Sequence, residues 1–242
     1  MKRHDHASGA DAASIDGGPA KHLRRRIQVA VTVAGLAGVG ILAVAPGCGG
    51  SGTDLPSGRT NMSQVLRGRQ LVFQSGCSDC HAGGVENPSS ATWLAGYTGP
   101  ATTPGPGSFQ VGPFWVYAAN ITPDVATGLG GVTDRQVYNA LKFGLDPSFT
   151  PSVVITGTTP GAGNFPATPH YLMVMPWPSF RNMSDDDLWA IVAYVKHGIK
   201  AVSNAVVAGT EPPDFWASSV TPDKIGPVPE PSYPASNEQF SP

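Results

Sequence analysis

Apolar residues recur at helical spacing in three separate stretches of this chain. Residues 61–76, 132–144 and 183–198 each carry an apolar stripe along one face, which predicts three amphipathic helices. Gly68 interrupts the first of them, at a position where glycine costs about 1 kcal/mol relative to alanine. We therefore expect another element to approach the first helix closely at Gly68.

Polar and small residues mark the ends of these helices. Ser63, Thr133 and Ser184 stand where an N-cap side chain is expected, and the glutamine three positions after Thr133 completes a capping box. Gly144 and Gly198 follow the last apolar positions of the second and third helices. Both glycines are expected to end their helices.

The stretches between and after the helices lack this periodicity. Residues 82–120 and 145–172 are rich in Gly, Pro and Thr, and the chain holds 30 Gly and 24 Pro in 242 residues. Loops of this length are uncommon unless something besides regular structure orders them, and no strand-like alternation is evident. The predicted fold class is all-α with long irregular loops, followed by a proline-rich tail at 201–242.

The N-terminal region has the pattern of an export signal. Residues 1–26 are polar and end in three arginines, and the nineteen residues 27–45 are almost entirely apolar; as a helix they would span roughly 28 Å. Cys48 follows among small residues, so lipidation of Cys48, an uncleaved anchor helix and ordinary cleavage all stay open for 1–48. Residues 49–60 are predicted to be a flexible tether. The rest of the chain is expected on the periplasmic side of a bacterial inner membrane.

Composition and charge exclude several classes of protein. Charged residues make up only 13% of the chain, which fits neither a disordered acidic chain nor a nucleic-acid-binding domain. Six of 15 Lys and Arg and three of 17 Asp and Glu lie within residues 1–48, which leaves nine basic and fourteen acidic residues, a net charge of −5, for the rest. This charge is too mild to identify a partner, and no nucleic acid is expected.

Cys77, Cys80 and His81 form the motif CSDCH in a chain with three cysteines. Four kinds of site use such residues: a disulfide, a redox dithiol, a zinc site and a covalently held haem. A disulfide between cysteines three positions apart is strained, and a redox dithiol is expected after a strand, whereas a helix precedes this motif. A structural zinc ion needs four ligands, and outside the motif the predicted exported part offers only His170, His197 and Cys48, which form no second pair. Zinc is therefore the weaker alternative.

The motif matches the covalent attachment of haem c. In Cys-x-x-Cys-His the two thiols add to the haem vinyl groups and the imidazole binds iron. Because positions i, i+3 and i+4 share one face of a helical turn, Cys77, Cys80 and His81 can all address one flat ring. The sequence predicts one covalently attached haem c with His81 as an axial ligand, and we expect His81 to donate its second ring N–H to a backbone carbonyl or a water.

The second axial ligand has several candidates. Besides His81, the methionines and histidines in the predicted exported part are Met62, Met173, Met175, Met183, His170 and His197. Met173 and Met175 would point the same way from an extended strand, so alternation does not separate them. Pro176 forces the residue before it into an extended conformation, which favours Met175. Met173, His170 and an open iron position stay as alternatives.

Three blocks of sequence resemble the haem domains of class I c-type cytochromes: RGRQLVFQSGCSDCH, VYAANITPDVATGLGGVTDRQVYNALKFG and MPWPSFRNMSDDDLWAIVAYVKHG. They are most similar to the cytochrome subunits of membrane-bound alcohol and sugar dehydrogenases, and they cover roughly residues 61–200, the predicted haem domain. The resemblance implies a class I cytochrome c fold, in which the N- and C-terminal helices cross beside the haem with Gly68 against Tyr194. Many of those subunits carry three haem motifs, whereas this chain has one.

The same resemblance implies which residues form the haem pocket. The family's Met-Pro ligand matches Met175 and Pro176, and its Asn-Ile-Thr-Pro loop, which lies beside the haem, matches Asn120 to Pro123. The candidate haem-pocket residues are thus Asn120, Pro123, Pro176 and Trp177.

These observations predict an electron carrier rather than an enzyme. A monohaem cytochrome with His and Met ligands would transfer one electron at a time in a periplasmic or membrane-associated respiratory chain. Its expected partners are redox proteins, namely a donor dehydrogenase or reductase and an acceptor oxidase or cytochrome, with membrane attachment through the N-terminus. The alternative is a peroxidase-like haem enzyme, which requires an open iron position.

Overall fold

The part of the chain that the computed structural model describes begins at Asn61. It comprises residues 61–101, 103–157, 159–210 and 215–226. The predicted export segment with Cys48 and the predicted tether lie outside these residues. No helix within the described ranges is both long enough and apolar enough to cross a membrane.

Short helices joined by long irregular segments make up most of the described chain. The α-helices are α1 (Met62–Gln74), α2 (Cys77–His81), α3 (Asp134–Phe143), α4 (Trp177–Phe180), α5 (Asp185–Ala193) and α6 (Pro222–Ile225). A 3₁₀ turn at Leu129–Gly131 precedes α3, and a π-helical turn at Tyr194–Gly198 continues α5.

The ends of the three predicted helices follow the polar signals in the sequence with one exception. Thr133 and its glutamine form the expected capping box on α3, Gly144 ends that helix in the left-handed region, and the Ser184 side chain caps α5. On α1 the expected cap was wrong, because Asn61 is the N-cap and its Oδ1 accepts the Ser63 N–H at 3.0 Å. The N–H of Ser63 is thus one of the first-turn donors that need a capping acceptor, and the acceptor is the side chain of Asn61.

Helices α1 and α5 cross in close contact at Gly68. A Cβ atom at this position would clash with the backbone carbonyl of Ala190 and would lie 2.9 Å from the Cβ of Tyr194. The close approach expected from a glycine inside α1 is therefore confirmed, and Tyr194 is one of the residues met. The Arg67 guanidinium adds a two-pronged ion pair to the Asp187 carboxylate, with N–O distances of 2.8 and 3.2 Å. Solvent screens this exposed pair, so the contact rests on packing.

The main core is the apolar cluster formed by α1, α3 and α5. Val72 of α1 and Leu188 and Val192 of α5 are fully buried in it. Tyr138 of α3 stacks on Trp189 with ring centroids 4.6 Å apart, which joins α3 to α5. Burial of these side chains is the main source of stability for the three helices.

A small antiparallel hairpin stands in the first long loop. Strands β1 (Ser108–Val111) and β2 (Phe114–Tyr117) pair with Val111 opposite Phe114 across the turn. The expectation that no strand would form was wrong here, because strands of four residues are too short to show a clear alternation. Thr210 extends the pairing, since its N–H donates to the Trp115 carbonyl at 2.9 Å.

A second apolar cluster binds the C-terminal stretch to the domain. Leu145, Phe165, Tyr171 and Trp177 are buried in it, and Trp216, Ala217, Val220 and Ile225 pack against them. The stretch predicted as a proline-rich tail, 201–242, is thus packed on the domain over much of its described part.

Gly68→Ala tests the helix crossing. Overpacking by the added methyl group is expected to lower the free energy of unfolding by about 1–3 kcal/mol. The higher helix propensity of alanine offsets about 1 kcal/mol of this loss. Denaturant unfolding measures the change.

Gly131→Ala is the matched control, because a Cβ there would meet nothing closer than the Val125 carbonyl at 3.7 Å. Its expected effect is within about 0.5 kcal/mol. Equal effects of the two substitutions would show that the crossing tolerates a side chain at Gly68.

Candidate cofactor site

A left-handed turn presents the CSDCH motif directly after α1. Gly76 has a φ of 65° and lies between α1 and α2, and a Cβ there would come 2.9 Å from the Asp79 carboxylate. Glycine is suited to this turn because L side chains rarely adopt a positive φ. The turn places Cys77, Cys80 and His81 together on the five-residue helix α2.

A hydrogen bond to the backbone fixes the imidazole of His81. Its Nδ1 lies 2.7 Å from the Ala119 carbonyl oxygen. Because a carbonyl oxygen accepts but does not donate, Nδ1 carries the proton and Nε2 is the nitrogen left for a metal. The expectation that His81 would donate to a backbone carbonyl or a water is therefore confirmed, and the carbonyl is that of Ala119.

Burial shifts the pKa values of Cys77, Cys80 and His81 in the direction that favours their neutral forms. Burial lowers the pKa of His81, against the hydrogen bond to Ala119, so the neutral imidazole that binds metals is favoured. Burial also raises the pKa of the Cys77 thiol to about 11 and raises that of Cys80. The two cysteines are free of disulfide bonds. A redox dithiol needs a stabilised thiolate, and this environment disfavours one.

Two loop segments hold the backbone around His81. The Gly96 N–H donates to the His81 carbonyl at 2.7 Å, in the segment 94–97. The segment 118–121 supplies Ala119, and it pairs with the first segment through Tyr97 N–H to the Ala118 carbonyl at 2.9 Å. His81 thus contacts both segments, one through its backbone and the other through its ring.

Asn120 connects these segments to the chain after α5. Its Oδ1 accepts the N–H and the hydroxyl of Thr122 at 3.0 and 2.7 Å, and its Nδ2 donates to Thr127 Oγ1 at 3.0 Å and the Val202 carbonyl at 2.7 Å. The amide is 3% exposed and all four of its hydrogen-bonding positions are used by protein atoms. Asn120 therefore organises the loop that carries Ala119. Pro123 follows in that loop and is half-buried.

The segment from Met173 to Trp177 turns twice. Val174 has a φ of 65°, and across it the Met175 N–H donates to the Met173 carbonyl at 2.7 Å. The Trp177 N–H then donates to the Met175 carbonyl at 2.8 Å around Pro176. Such three-residue turns reverse the chain, so the assumption of an extended strand through Met173 and Met175 was wrong. A positive φ at a β-branched residue is a strained conformation of the kind often found at functional sites.

The turns give the two methionines different surroundings. Met173 is 8% exposed, whereas Met175 is half-buried and packs against the main core cluster, as Cys77 does. Two residues far apart in the sequence therefore border the same apolar cluster. The structure places Pro176 at the N-cap of α4.

The remaining candidate residues lie in other surroundings. Trp177 belongs to the second apolar cluster and stacks on Tyr171 with centroids 5.3 Å apart. His170 stacks on Phe149 with centroids 3.9 Å apart, and its buried Nδ1 has no hydrogen-bond partner. His197 lies at the end of the π-helical turn and pairs with Asp134 at 2.9 Å.

The residues present fit a covalently held haem. Two neutral thiols and an imidazole with a free Nε2 share one helical turn, and the apolar cluster borders both Cys77 and Met175. Among the residues that the structure describes, no group of three or more His, Cys, Asp and Glu side chains could hold a metal ion.

Sequence reasoning missed the backbone contributors to this site. The Ala119 carbonyl and the Gly96 N–H contact His81. Both are backbone groups, so the identity of the side chain at either position does not indicate the contact. Asn204 was also missed, although its Nδ2 donates to the Ala95 and Tyr97 carbonyls at 2.7 and 3.0 Å. An asparagine in an otherwise irregular segment was the available signal.

Comparison with known proteins links the chain to cytochrome subunits of dehydrogenases. No protein-family model matches the chain. It is 29% identical over 147 residues to the cytochrome c subunit of the quinone alcohol dehydrogenase of Gluconobacter oxydans, across 57% of this chain and 22% of the relative. It is 28% identical over 151 residues to the gluconate 2-dehydrogenase cytochrome c subunit of Pantoea cypripedii, across 62% of this chain and 27% of the relative.

A third relative is the fructose dehydrogenase cytochrome subunit of Gluconobacter japonicus, 27% identical over 138 residues, which are 57% of this chain and 22% of the relative. The chain thus spans about a quarter of the length of these relatives. Their names are those of cytochrome subunits of dehydrogenases. The similarity supports a cytochrome c with a role in electron transfer.

Asn120→Ala tests the role of this amide in the fold. The substitution removes the acceptor of the buried Thr122 N–H and one of the donors to the Val202 carbonyl, so we expect the free energy of unfolding to fall by about 2–4 kcal/mol. Denaturant unfolding of the purified protein provides the measurement.

Asn87→Ala serves as the control, because Asn87 is an exposed loop residue whose Oδ1 accepts only the Ser89 N–H, at 3.0 Å. We expect it to change stability by less than about 1 kcal/mol. A small effect of both substitutions would mean that water replaces the Asn120 amide.

Proposed function

We propose that this chain is a monohaem c-type cytochrome that carries one electron at a time. The observation that carries the proposal is the hydrogen bond from His81 Nδ1 to the Ala119 carbonyl. It leaves Nε2 as the metal-binding nitrogen on the same helical turn as Cys77 and Cys80. The similarity to cytochrome c subunits supports the same conclusion.

In this proposal the motif residues attach and orient one haem c. The Cys77 and Cys80 sulfurs would hold the haem through thioether bonds to its two vinyl groups, and His81 Nε2 would bind its iron. The bound haem supplies an iron that cycles between the ferric and ferrous states. The hydrogen bond to Ala119 fixes the orientation of the His81 ring and makes it a more basic ligand.

Met175 is the proposed second axial ligand. The turns at Val174 and Pro176 hold its backbone on both sides, and its side chain packs against the cluster that also borders Cys77. A thioether ligand favours the reduced iron and raises the reduction potential. Met173 and His170 are the alternative ligands, and an open position would correspond to a peroxidase-like haem enzyme.

The proposed partners are redox proteins. The names of the relatives suggest a dehydrogenase as electron donor. An oxidase or another cytochrome is the proposed acceptor. The proposed place is the periplasmic side of a bacterial inner membrane, with attachment through the N-terminus. A net charge of −5 beyond residue 48 predicts docking with little dependence on salt.

The double substitution Cys77→Ala with Cys80→Ala tests covalent attachment. Wild-type protein made in a host that matures c-type cytochromes is expected to retain haem on a denaturing gel, with its mass increased by one haem. The double variant is expected to lose all of this signal, because no sulfur of the motif remains to form a thioether.

Cys48→Ala is the matched cysteine control and is expected to keep the haem signal. A wild-type protein with unmodified sulfurs would refute the proposal. So would haem that stays bound to the denatured double variant.

Met175→Ala tests the second axial ligand. Wild-type ferric protein is expected to show the methionine-to-iron charge-transfer band, and the variant is expected to lose it. We also expect the reduction potential to fall by the order of 0.1 V, within the roughly 0.8 V range that axial ligands span. Absorption spectroscopy and redox titration measure both effects.

Met173→Ala discriminates between the two methionines and is expected to keep the band. Loss of the band in Met173→Ala alone would assign the ligand to Met173. A wild-type protein that lacks the band and turns over peroxide would favour the haem enzyme.

A further inference from the structure

The chain returns to the candidate site after its last long helix. Asn204 lies in the irregular segment after the π-helical turn, and its Nδ2 donates to the Ala95 carbonyl at 2.7 Å and to the Tyr97 carbonyl at 3.0 Å. Its backbone N–H donates to Thr127 Oγ1 at 3.0 Å. One asparagine thus contacts two separate loops.

The two carbonyls that Asn204 binds lie on either side of Gly96. The Gly96 N–H donates to the His81 carbonyl at 2.7 Å. Gly96 has a φ of 81°, and a Cβ there would come within 2.6–2.7 Å of backbone atoms of residues 118–120. Because there is no space to spare between these backbones, the segment held by Asn204 also fixes the segment that carries Ala119.

The same stretch of chain holds Ala119 from its other side. The Val202 carbonyl accepts the Asn120 Nδ2 at 2.7 Å, and the Val202 N–H donates to Thr122 Oγ1 at 3.1 Å. Ala119, whose carbonyl accepts the His81 N–H, is therefore next to a residue bound to this stretch. Residues 202–204 hold both backbone segments that His81 contacts.

We propose that Asn204 is a positioning residue for the axial imidazole, because its amide locks the two loops that hold His81. The proposal rests on the proposed function, since it concerns His81 as an iron ligand. A strong hydrogen bond from Nδ1 makes the imidazole a better electron donor to the metal. Asn204 thereby maintains the strength of the His81–Ala119 bond and, through it, the reduction potential.

Asn204→Ala in the haem-loaded, full-length protein tests this role. Two measurements report on the imidazole itself: the exchange rate of the His81 Nδ1–H proton by NMR of the reduced protein, and the reduction potential. We expect the Nδ1–H proton to exchange faster by about tenfold or more, because the protection lost corresponds to roughly one hydrogen bond. The potential is expected to become more positive, because a less basic imidazole stabilises ferric iron less.

Asn164→Ala is the matched control. Asn164 also binds a loop through its amide, since its Oδ1 accepts the Thr156 N–H at 2.6 Å and its Nδ2 donates to the Val154 carbonyl at 2.7 Å. None of these hydrogen bonds of Asn164 reaches the loops around His81. The control is expected to lose stability without changing either measurement.

The proposal would be overturned if Asn204→Ala and Asn164→Ala had the same His81 Nδ1–H exchange rate and the same reduction potential. If Asn204→Ala does not yield folded holoprotein, Asn204→Ser, which retains one donor, is measured instead. It is expected to give smaller shifts in the same directions, and their absence would overturn the proposal as well. A wild-type protein without covalent haem would refute the proposed function and this inference together. A haem-bearing wild type with an unaffected Asn204 variant would refute the inference alone.

Discussion

The crossing of α1 and α5 at Gly68 is the constraint on which the rest of the structure depends. A hydrogen atom in place of a side chain lets the Ala190 backbone approach α1, and the contact buries Val72 and the apolar face of α5. Helix α1 leads through a single left-handed glycine to Cys77, so the crossing also determines where the motif lies. The end of α5 leads to the segment 202–204, which binds the loops around His81.

Side-chain amides take the place of regular structure in the long loops. Buried backbone groups need hydrogen-bond partners, and in these loops helices and strands supply few of them. Asn120, Asn204 and Asn164 each bind several groups of distant or neighbouring backbone. Because each amide both donates and accepts, one residue can tie two segments together. Such ties order the stretches between α2 and α3 and between α3 and α4.

The surroundings of α2 are consistent with an apolar cofactor. Burial raises the pKa of both thiols and lowers the pKa of the imidazole, and the strained turn at Val174 brings Met175 to the edge of the main apolar cluster. Among the described residues, no group of three or more His, Cys, Asp and Glu side chains could hold a metal ion. These features support the proposed haem because a large apolar ring gains from burial.

The sequence by itself determined the helices with strong end signals and the attachment motif, because both depend on residues close together in the chain. The capping box at Thr133, the stop at Gly144 and the shared face of Cys77, Cys80 and His81 are local properties. Only the tertiary structure decided which carbonyl holds His81, that Asn204 binds the loops beside it, and that Met173 and Met175 are separated by a reversal at Val174. Backbone carbonyls are the same at every residue, so no pattern of side chains reveals which of them a distant imidazole or amide will meet.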